Sequence, residues 1–234
     1  MKTFVLCGGE GTRLKPYTYY IPKPMLLIGG KPILWYVLQN LKKNGLTDLI
    51  LTVGYKREQI QEYFKNGKEF GISIQYAVEE EALNTAGSIL PQKDMIDSTF
   101  AVVMGDHLTN INLRKMIDAH KKSKAIATIA LLRGRVALEY GVAEVKNNEV
   151  VGFEEKPFYE KLYNVAIYLF EPKIFEYIKP KEDFAKNVFP RLLQKKERIN
   201  AYLFDETWFD VGRVSDYERL NEQFRAGQLL KDVS

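Results

Sequence analysis

A short apolar strand, Thr3-Phe4-Val5-Leu6, runs straight into Cys7-Gly8-Gly9-Glu10-Gly11-Thr12-Arg13-Leu14-Lys15-Pro16, and this junction constrains the chain more than any other stretch. The three glycines let the backbone turn sharply and present bare N–H groups, while Arg13 adds a cation from the same loop. At the carboxyl end of a strand, such a loop is where an open α/β sheet receives an anion. Lys23 follows between Pro22 and Pro24. Two flanking prolines restrict the backbone, which suits an ammonium group that must be aimed. On the glycines alone, a plain turn with solvated cations remains open.

Two familiar glycine loops do not fit. A P-loop requires Gly-Lys-Ser/Thr, whereas Gly11 is followed by Thr12-Arg13. A dinucleotide fingerprint needs a third glycine where Leu14 stands, and Pro16 suits the helix that should follow poorly.

Strand-like and helix-like periods alternate through the first half, predicting a parallel sheet wrapped by helices. Pro32 opens an amphipathic helix carrying Ile33, Leu34, Val37, Leu38 and Leu41, stopped by Gly45. Strand Asp48–Val53, a helix over 57–65 ended by Gly67, strand Ser73–Ala77, a short helix over 85–90 and strand Phe100–Met104 follow. Helix Leu113–Ser123 takes Asn112 as its N-cap, and Ile126–Leu132 reads as a buried strand. Beyond it, Val142–Val145 and Val150–Glu155 flank Asn147-Asn148 as a hairpin, and Tyr163–Phe170 is a long strand. Helices over 173–178 and 187–196, strand Ile199–Phe204 and a last helix opened by the capping box Ser215-x-x-Glu218 complete the pattern.

With 234 residues, 46% of them hydrophobic, the chain can bury a large core in one domain. No stretch reaches the roughly 18 apolar residues of a membrane span, and Gly8 breaks the first apolar run too early for a signal peptide, so a cytoplasmic, membrane-free protein is expected. The net charge of +4 suits phosphate-bearing ligands, but 34 basic residues are interspersed with 30 acidic ones, unlike the clustered footprint of a nucleic-acid reader. Two histidines are too few for a histidine-based metal centre, and Cys7, the single cysteine, reads as a packed small residue.

The run from Gly8 through Thr18, with Pro22-Lys23-Pro24, resembles the signature of the sugar-1-phosphate nucleotidylyltransferases, the nucleotide-sugar pyrophosphorylases. The resemblance continues through Leu83-Asn84-Thr85-Ala86-Gly87, Gly105-Asp106, Tyr140-Gly141-Val142, Glu155-Lys156-Pro157, Asn164-Val165-Ala166-Ile167-Tyr168 and Trp208-Phe209-Asp210-Val211-Gly212. It implies a Rossmann-like α/β fold, with a mixed, mainly parallel sheet flanked by helices. It further implies a single domain without a C-terminal β-helix, in which residues up to about 135 hold the nucleotide and 136–234 face the sugar. A homo-oligomer is compatible with it.

The reaction so implied is attack of a sugar-1-phosphate oxygen on the α-phosphorus of a nucleoside triphosphate. The nucleophile is already anionic, so the demand is electrostatic and positional. By resemblance, Arg13 holds the departing β- and γ-phosphates, Lys23 contacts the α-phosphate and the incoming phosphate, and Asp106 and Asp210 bind Mg²⁺. Leu6, Gly8, Gly9, Gly11, Thr12, Thr85 and Gly87 would line the nucleotide. Lys156 would grip the sugar phosphate and Glu155 a sugar hydroxyl, with Gly141 and Asn164 adding hydrogen bonds. Without the resemblance, Glu154-Glu155-Lys156-Pro157 reads as a charged strand end.

Base choice is assigned to Glu79, where the family often has glutamine in thymidylyl and uridylyl enzymes and glutamate in guanylyl ones. A carboxylate accepts from guanine N1–H and N2–H₂ together, but faces repelling carbonyl oxygens on uracil or thymine. GTP with mannose- or heptose-1-phosphate is therefore expected first, and dTTP or UTP with glucose-1-phosphate second. As residues alone, Glu79-Glu80-Glu81 also reads as a solvated acidic run. The segment Gly29–Trp35 with Gly54-Tyr55-Lys56 resembles cytidylyltransferases, but residues 79–87 do not, which ranks CTP lower. A non-catalytic, nucleotide-sugar-binding regulatory relative is the alternative from another class. Asn84, His107, Ala166 and Arg213 depart from the family pattern and are expected to reshape the sugar pocket.

Overall fold

In the computed structural model, which describes residues 1–227, burial on both faces makes β1 (Lys2–Cys7) a central strand. Phe4 and Leu6 point to one side and Val5 and Cys7 to the other, all buried. A two-residue hairpin, β2 (Leu27–Ile28) and β3 (Lys31–Pro32), leads into α1 (Ile33–Lys43), followed by β4 (Asp48–Val53), α2 (Arg57–Phe64) and β5 (Ser73–Val78). Next come α3 (Asn84–Gly87), β6 (Phe100–Met104), β7 (His107–Thr109), α4 (Leu113–Ser123) and β8 (Ala127–Ala137). The hairpin β9 (Val142–Lys146) and β10 (Glu149–Glu154), β11 (Phe158–Phe170), α5 (Phe189–Gln194), β12 (Ile199–Phe204), β13 (Trp208–Asp210) and α6 (Val214–Arg225) follow.

Seven strands form the main sheet in the order β12-β8-β11-β6-β1-β4-β5. β1 is parallel to both β4 and β6, whereas β11 runs antiparallel to β6 and β8, so the sheet is mixed and mainly parallel, as expected. One face buries Leu34, Leu38 and Leu41 of α1 and Met116 of α4 against Val5 and Val103. The other is rich in aromatic rings, with Phe170 and Phe184 stacked at 5.0 Å between centroids. A smaller cluster of Leu14, Leu26, Ile28, Ile33, Leu108, Val211 and Leu220 joins the glycine loop to β7, β13 and α6.

Several local expectations need correction. α2 stops at Phe64 because Lys65, not Gly67, leaves the helical region, at φ 47°. Residues 172–177 and 90–95 form 3₁₀ turns, and a π turn at 184–188 precedes α5. The capping box is absent: α6 begins one residue before Ser215, without a side-chain cap, and Glu218 instead accepts from the Tyr17 hydroxyl at 3.2 Å. β8 and β11 run past the buried sheet as an exposed antiparallel arm, because their outer halves pair only with each other. Asn147 and Asn148 both take positive φ in the β9–β10 turn, the geometry that a tight hairpin requires. Among the described residues, no helix is long and apolar enough to cross a membrane.

Candidate active site

Parallel pairing places the carboxyl ends of β1 and β6 side by side, with Leu6 opposite Met104, and Gly105 N–H donates to the Leu6 carbonyl at 2.9 Å. The glycine loop and Asp106 therefore share one sheet edge. Gly11 sits at φ 63°, where a side chain would be strained and its Cβ would lie 3.1 Å from Lys23 Cβ. Its carbonyl accepts from Thr18 Oγ1 at 2.9 Å, which fastens the loop to the segment that carries Lys23.

Lys23 is buried, and its ammonium lies between two carboxylates. It makes a short ion pair with Asp106 Oδ2 and a longer one, 3.4 Å, with Asp210 Oδ1. Asp210 arrives from more than a hundred residues away because β13 pairs antiparallel with β7, placing Asp210 directly opposite His107. The next residue, Val211, is fully buried in the small apolar cluster and fixes the segment. His107, chiefly, and then the Lys23 ammonium hold the Asp210 carboxyl well below the usual carboxylate range, against the opposing effect of burial. His107 Nε2 faces Asp210 Oδ1 at 3.5 Å and Asp106 Oδ1 at 3.7 Å, while Nδ1 meets the Val165 carbonyl at 3.2 Å.

A cavity borders this cluster and adjoins a second, the two sharing Leu6, Gly9 and Met104. The first, about 250 Å³, is lined by Gly11, Thr12, Arg13, Lys23 and Asp106. The Arg13 side chain is exposed and makes no ion pair or hydrogen bond among the described residues. The second, about 190 Å³, is lined by Gly8, Glu79, Leu83, Asn84 and Thr85. Glu79 lies against the loop: a Cβ on Gly8 would meet its Oε2 at 2.9 Å, and its Oε1 is buried without a hydrogen-bond partner. Cys7 is buried as expected, and burial, then the Asp106 and Glu79 carboxylates, push its thiol up well above the ordinary value.

Gly87 lies outside both linings. It abuts backbone: a Cβ there would stand 2.8 Å from Lys181 N, and its N–H donates to the Glu182 carbonyl. The Thr85 hydroxyl is committed to Asp183 Oδ2 at 2.8 Å and to Phe184 N–H at 3.0 Å. Both residues thus anchor the turn that carries Asn84, itself at φ 59° as asparagine tolerates.

Of the residues expected to face the sugar, Gly141 adjoins Glu155, and both are exposed with Lys156. Asn164 spends its amide locally, donating to Tyr168 Oη at 3.0 Å and accepting from Ala166 N–H at 2.9 Å. Among the described residues, no hydrogen bond or ion pair joins these four to the Lys23 cluster. The sequence reading assigned His107 to the sugar pocket, whereas it stands among the carboxylates. The pairing that puts it there spans three residues per strand, too few to show a period.

The family model for nucleotidyl transferases matches residues 2–227. A D-glycero-alpha-D-manno-heptose 1-phosphate guanylyltransferase of Campylobacter jejuni is 38% identical over 93% of this chain and 97% of its own length. A UTP–glucose-1-phosphate uridylyltransferase of Synechocystis is 33% identical over 93% of this chain, which spans 61% of that longer protein. The crystal structure of HddC from Yersinia pseudotuberculosis complexed with GMP-PN superposes with a TM-score of 0.77 at 26% identity, over 95% of this chain and 99% of that one.

Proposed function

The chain belongs to the nucleotidyl transferase family, and on that premise we propose that it is a sugar-1-phosphate nucleotidylyltransferase, forming a nucleotide-sugar and pyrophosphate. The observation that carries this reading is Lys23, held between Asp106 and Asp210 and lining a glycine-bordered cavity together with Arg13. An oxygen of the sugar phosphate forms the new bond to the α-phosphorus, the bond to the bridging β-phosphate oxygen breaks, and pyrophosphate leaves with the electron pair. No proton need be removed from the nucleophile, so the step asks the site for positive charge and alignment. Lys23 bears on the α-phosphate, and Arg13 receives the charge developing on pyrophosphate. Lys156 and Glu155, with Gly141 and Asn164, belong to the sugar half from about residue 136 onward.

Asp106 and Asp210 suit a hard divalent cation. Asp106 Oδ1 is buried without a hydrogen-bond partner, and two carboxylates beside a phosphate cavity are the donors Mg²⁺ favours. Held there, Mg²⁺ would supply positive charge to the phosphate oxygens. The compartment this reading implies is the cytoplasm, where nucleoside triphosphates are made and used.

GTP with mannose- or heptose-1-phosphate is the favoured pair. In its support, Glu79 lines the cavity beside the glycine loop, and a carboxylate can accept from two guanine donors. Pyrophosphate release, measured for GTP, dTTP, UTP, CTP and ATP against mannose, glucose, N-acetylglucosamine and heptose 1-phosphates, tests both levels. Sugar-dependent release establishes the enzyme class. A preference for dTTP or UTP with glucose-1-phosphate overturns the guanylyl assignment, and binding of nucleotide-sugars without release makes the protein a regulatory relative.

A further inference from the structure

β11 breaks its ladder with β8 between Asn164 and Tyr168, and Ala166 sits inside the break at φ 54°. The break releases the Val165 carbonyl from strand pairing, and that carbonyl faces His107 Nδ1 at 3.2 Å. A carbonyl oxygen can only accept, so Nδ1 carries the proton, and the ring turns its other nitrogen, Nε2, toward Asp106 and Asp210, where a bound cation would take the Nε2 lone pair in place of a proton. The edge of Trp208, 5.2 Å away between ring centroids, holds the imidazole from the side. One oxygen from each aspartate and a nitrogen of His107 lie within 4.8 Å of one another, around the unpartnered Asp106 Oδ1. An imidazole oriented by a backbone carbonyl and grouped with carboxylates has the composition of a divalent transition-metal site.

We propose that His107 is a third protein ligand to the cation, which makes this site mixed nitrogen and oxygen and tilts it from Mg²⁺ toward Mn²⁺ or Co²⁺. The inference rests on the reading of Asp106 and Asp210 as cation ligands. Imidazole nitrogen adds affinity for first-row transition ions and little for Mg²⁺, which is satisfied by oxygen and water.

The chain has two histidines, and the second, His120, is buried and bonded to Thr128 Oγ1 and Glu171 Oε1, so a nitrogen signal from a bound ion can be assigned. The test is pulsed electron paramagnetic resonance of Mn²⁺ bound to the full chain, labelled with ¹⁵N-histidine, with and without a non-hydrolysable guanosine triphosphate. We expect ¹⁵N coupling of a directly bound imidazole in the unsubstituted protein. In His107→Asn, whose amide can still reach Val165, the coupling should vanish. The ratio of Mn²⁺ to Mg²⁺ affinity should then fall about tenfold, the usual lower scale for a lost metal-site partner. Bound Mn²⁺ without histidine coupling overturns the role of His107 and leaves Asp106 and Asp210 in place. No bound Mn²⁺ in either condition, with Asp210→Asn no different, overturns the cation site itself.

Discussion

Arg191 holds Glu182 with both arms of its guanidinium, Nη1 to Oε2 at 2.7 Å and Nη2 to Oε1 at 2.5 Å. The Glu182 carbonyl in turn receives the N–H groups of Ala86 and Gly87, so this ion pair braces the turn that borders the Glu79 cavity. The guanidinium, chiefly, lowers the Glu182 carboxyl to about 2. A depressed carboxylate stabilises the fold fully above its unfolded value near 4.5 and loses that contribution as pH falls toward 2. Thermal unfolding followed from pH 7 to pH 3 should show a loss below about pH 5 that Glu182→Gln lacks in part. At neutral pH, Arg191→Ala should cost about 2 kcal/mol, the scale of charge-assisted hydrogen bonds.

Arg13 and Lys23 should separate activity from stability. Arg13 is exposed and unpaired among the described residues, so Arg13→Ala should leave the melting temperature within a degree or so while lowering kcat about a hundredfold, as loss of one transition-state donor does. Lys23→Met should lower both, because it leaves Asp106 and Asp210 facing each other without their shared cation. Calorimetry beside steady-state pyrophosphate release distinguishes the two patterns.

Glu79→Gln exchanges an acceptor pair for one acceptor and one donor beside the glycine loop. GTP use should fall about tenfold in kcat/KM, and dTTP or UTP use should rise, since the amide N–H can donate to a pyrimidine carbonyl. Unchanged base preference removes Glu79 from base selection.

Ala166 at φ 54° pays a conformational strain that glycine avoids. Ala166→Gly should raise stability by about 0.5–1 kcal/mol, the relief of the left-handed backbone less the extra freedom of unfolded glycine. Denaturant unfolding reads this directly, and a loss of stability would show that the alanine methyl contributes more through packing than it costs in strain.

What the sequence discloses depends on the range of the interaction. The strands Asp48–Val53, Phe100–Met104 and Ile199–Phe204 and the helix Leu113–Ser123, with Asn112 accepting from Lys115 N–H, agree residue for residue between pattern and structure. Each is bounded by a local signal and buries a regular set of side chains. The grouping of the glycine loop with Asp106 was equally readable, because parallel strands align their carboxyl ends. Asp210 came only from family resemblance, since no spacing argument reaches across β7 and β13. His107 was misplaced for a related reason: neighbours on a strand face opposite ways, and the turn at 105–106 removes that rule. The contacts of Gly87 and Thr85 with residues 182–184 were equally out of reach, because those partners lie nearly a hundred positions away.

The apolar cluster of Leu14, Leu108, Val211 and Leu220 also sets an order of events during synthesis. The glycine loop is made first and Asp106 midway, whereas Val211 and α6, which pack on Leu14 and Leu108, emerge much later. A nascent chain therefore carries the glycine loop and Asp106 long before it carries Asp210. The carboxylate that shares Lys23 with Asp106 is thus a late arrival.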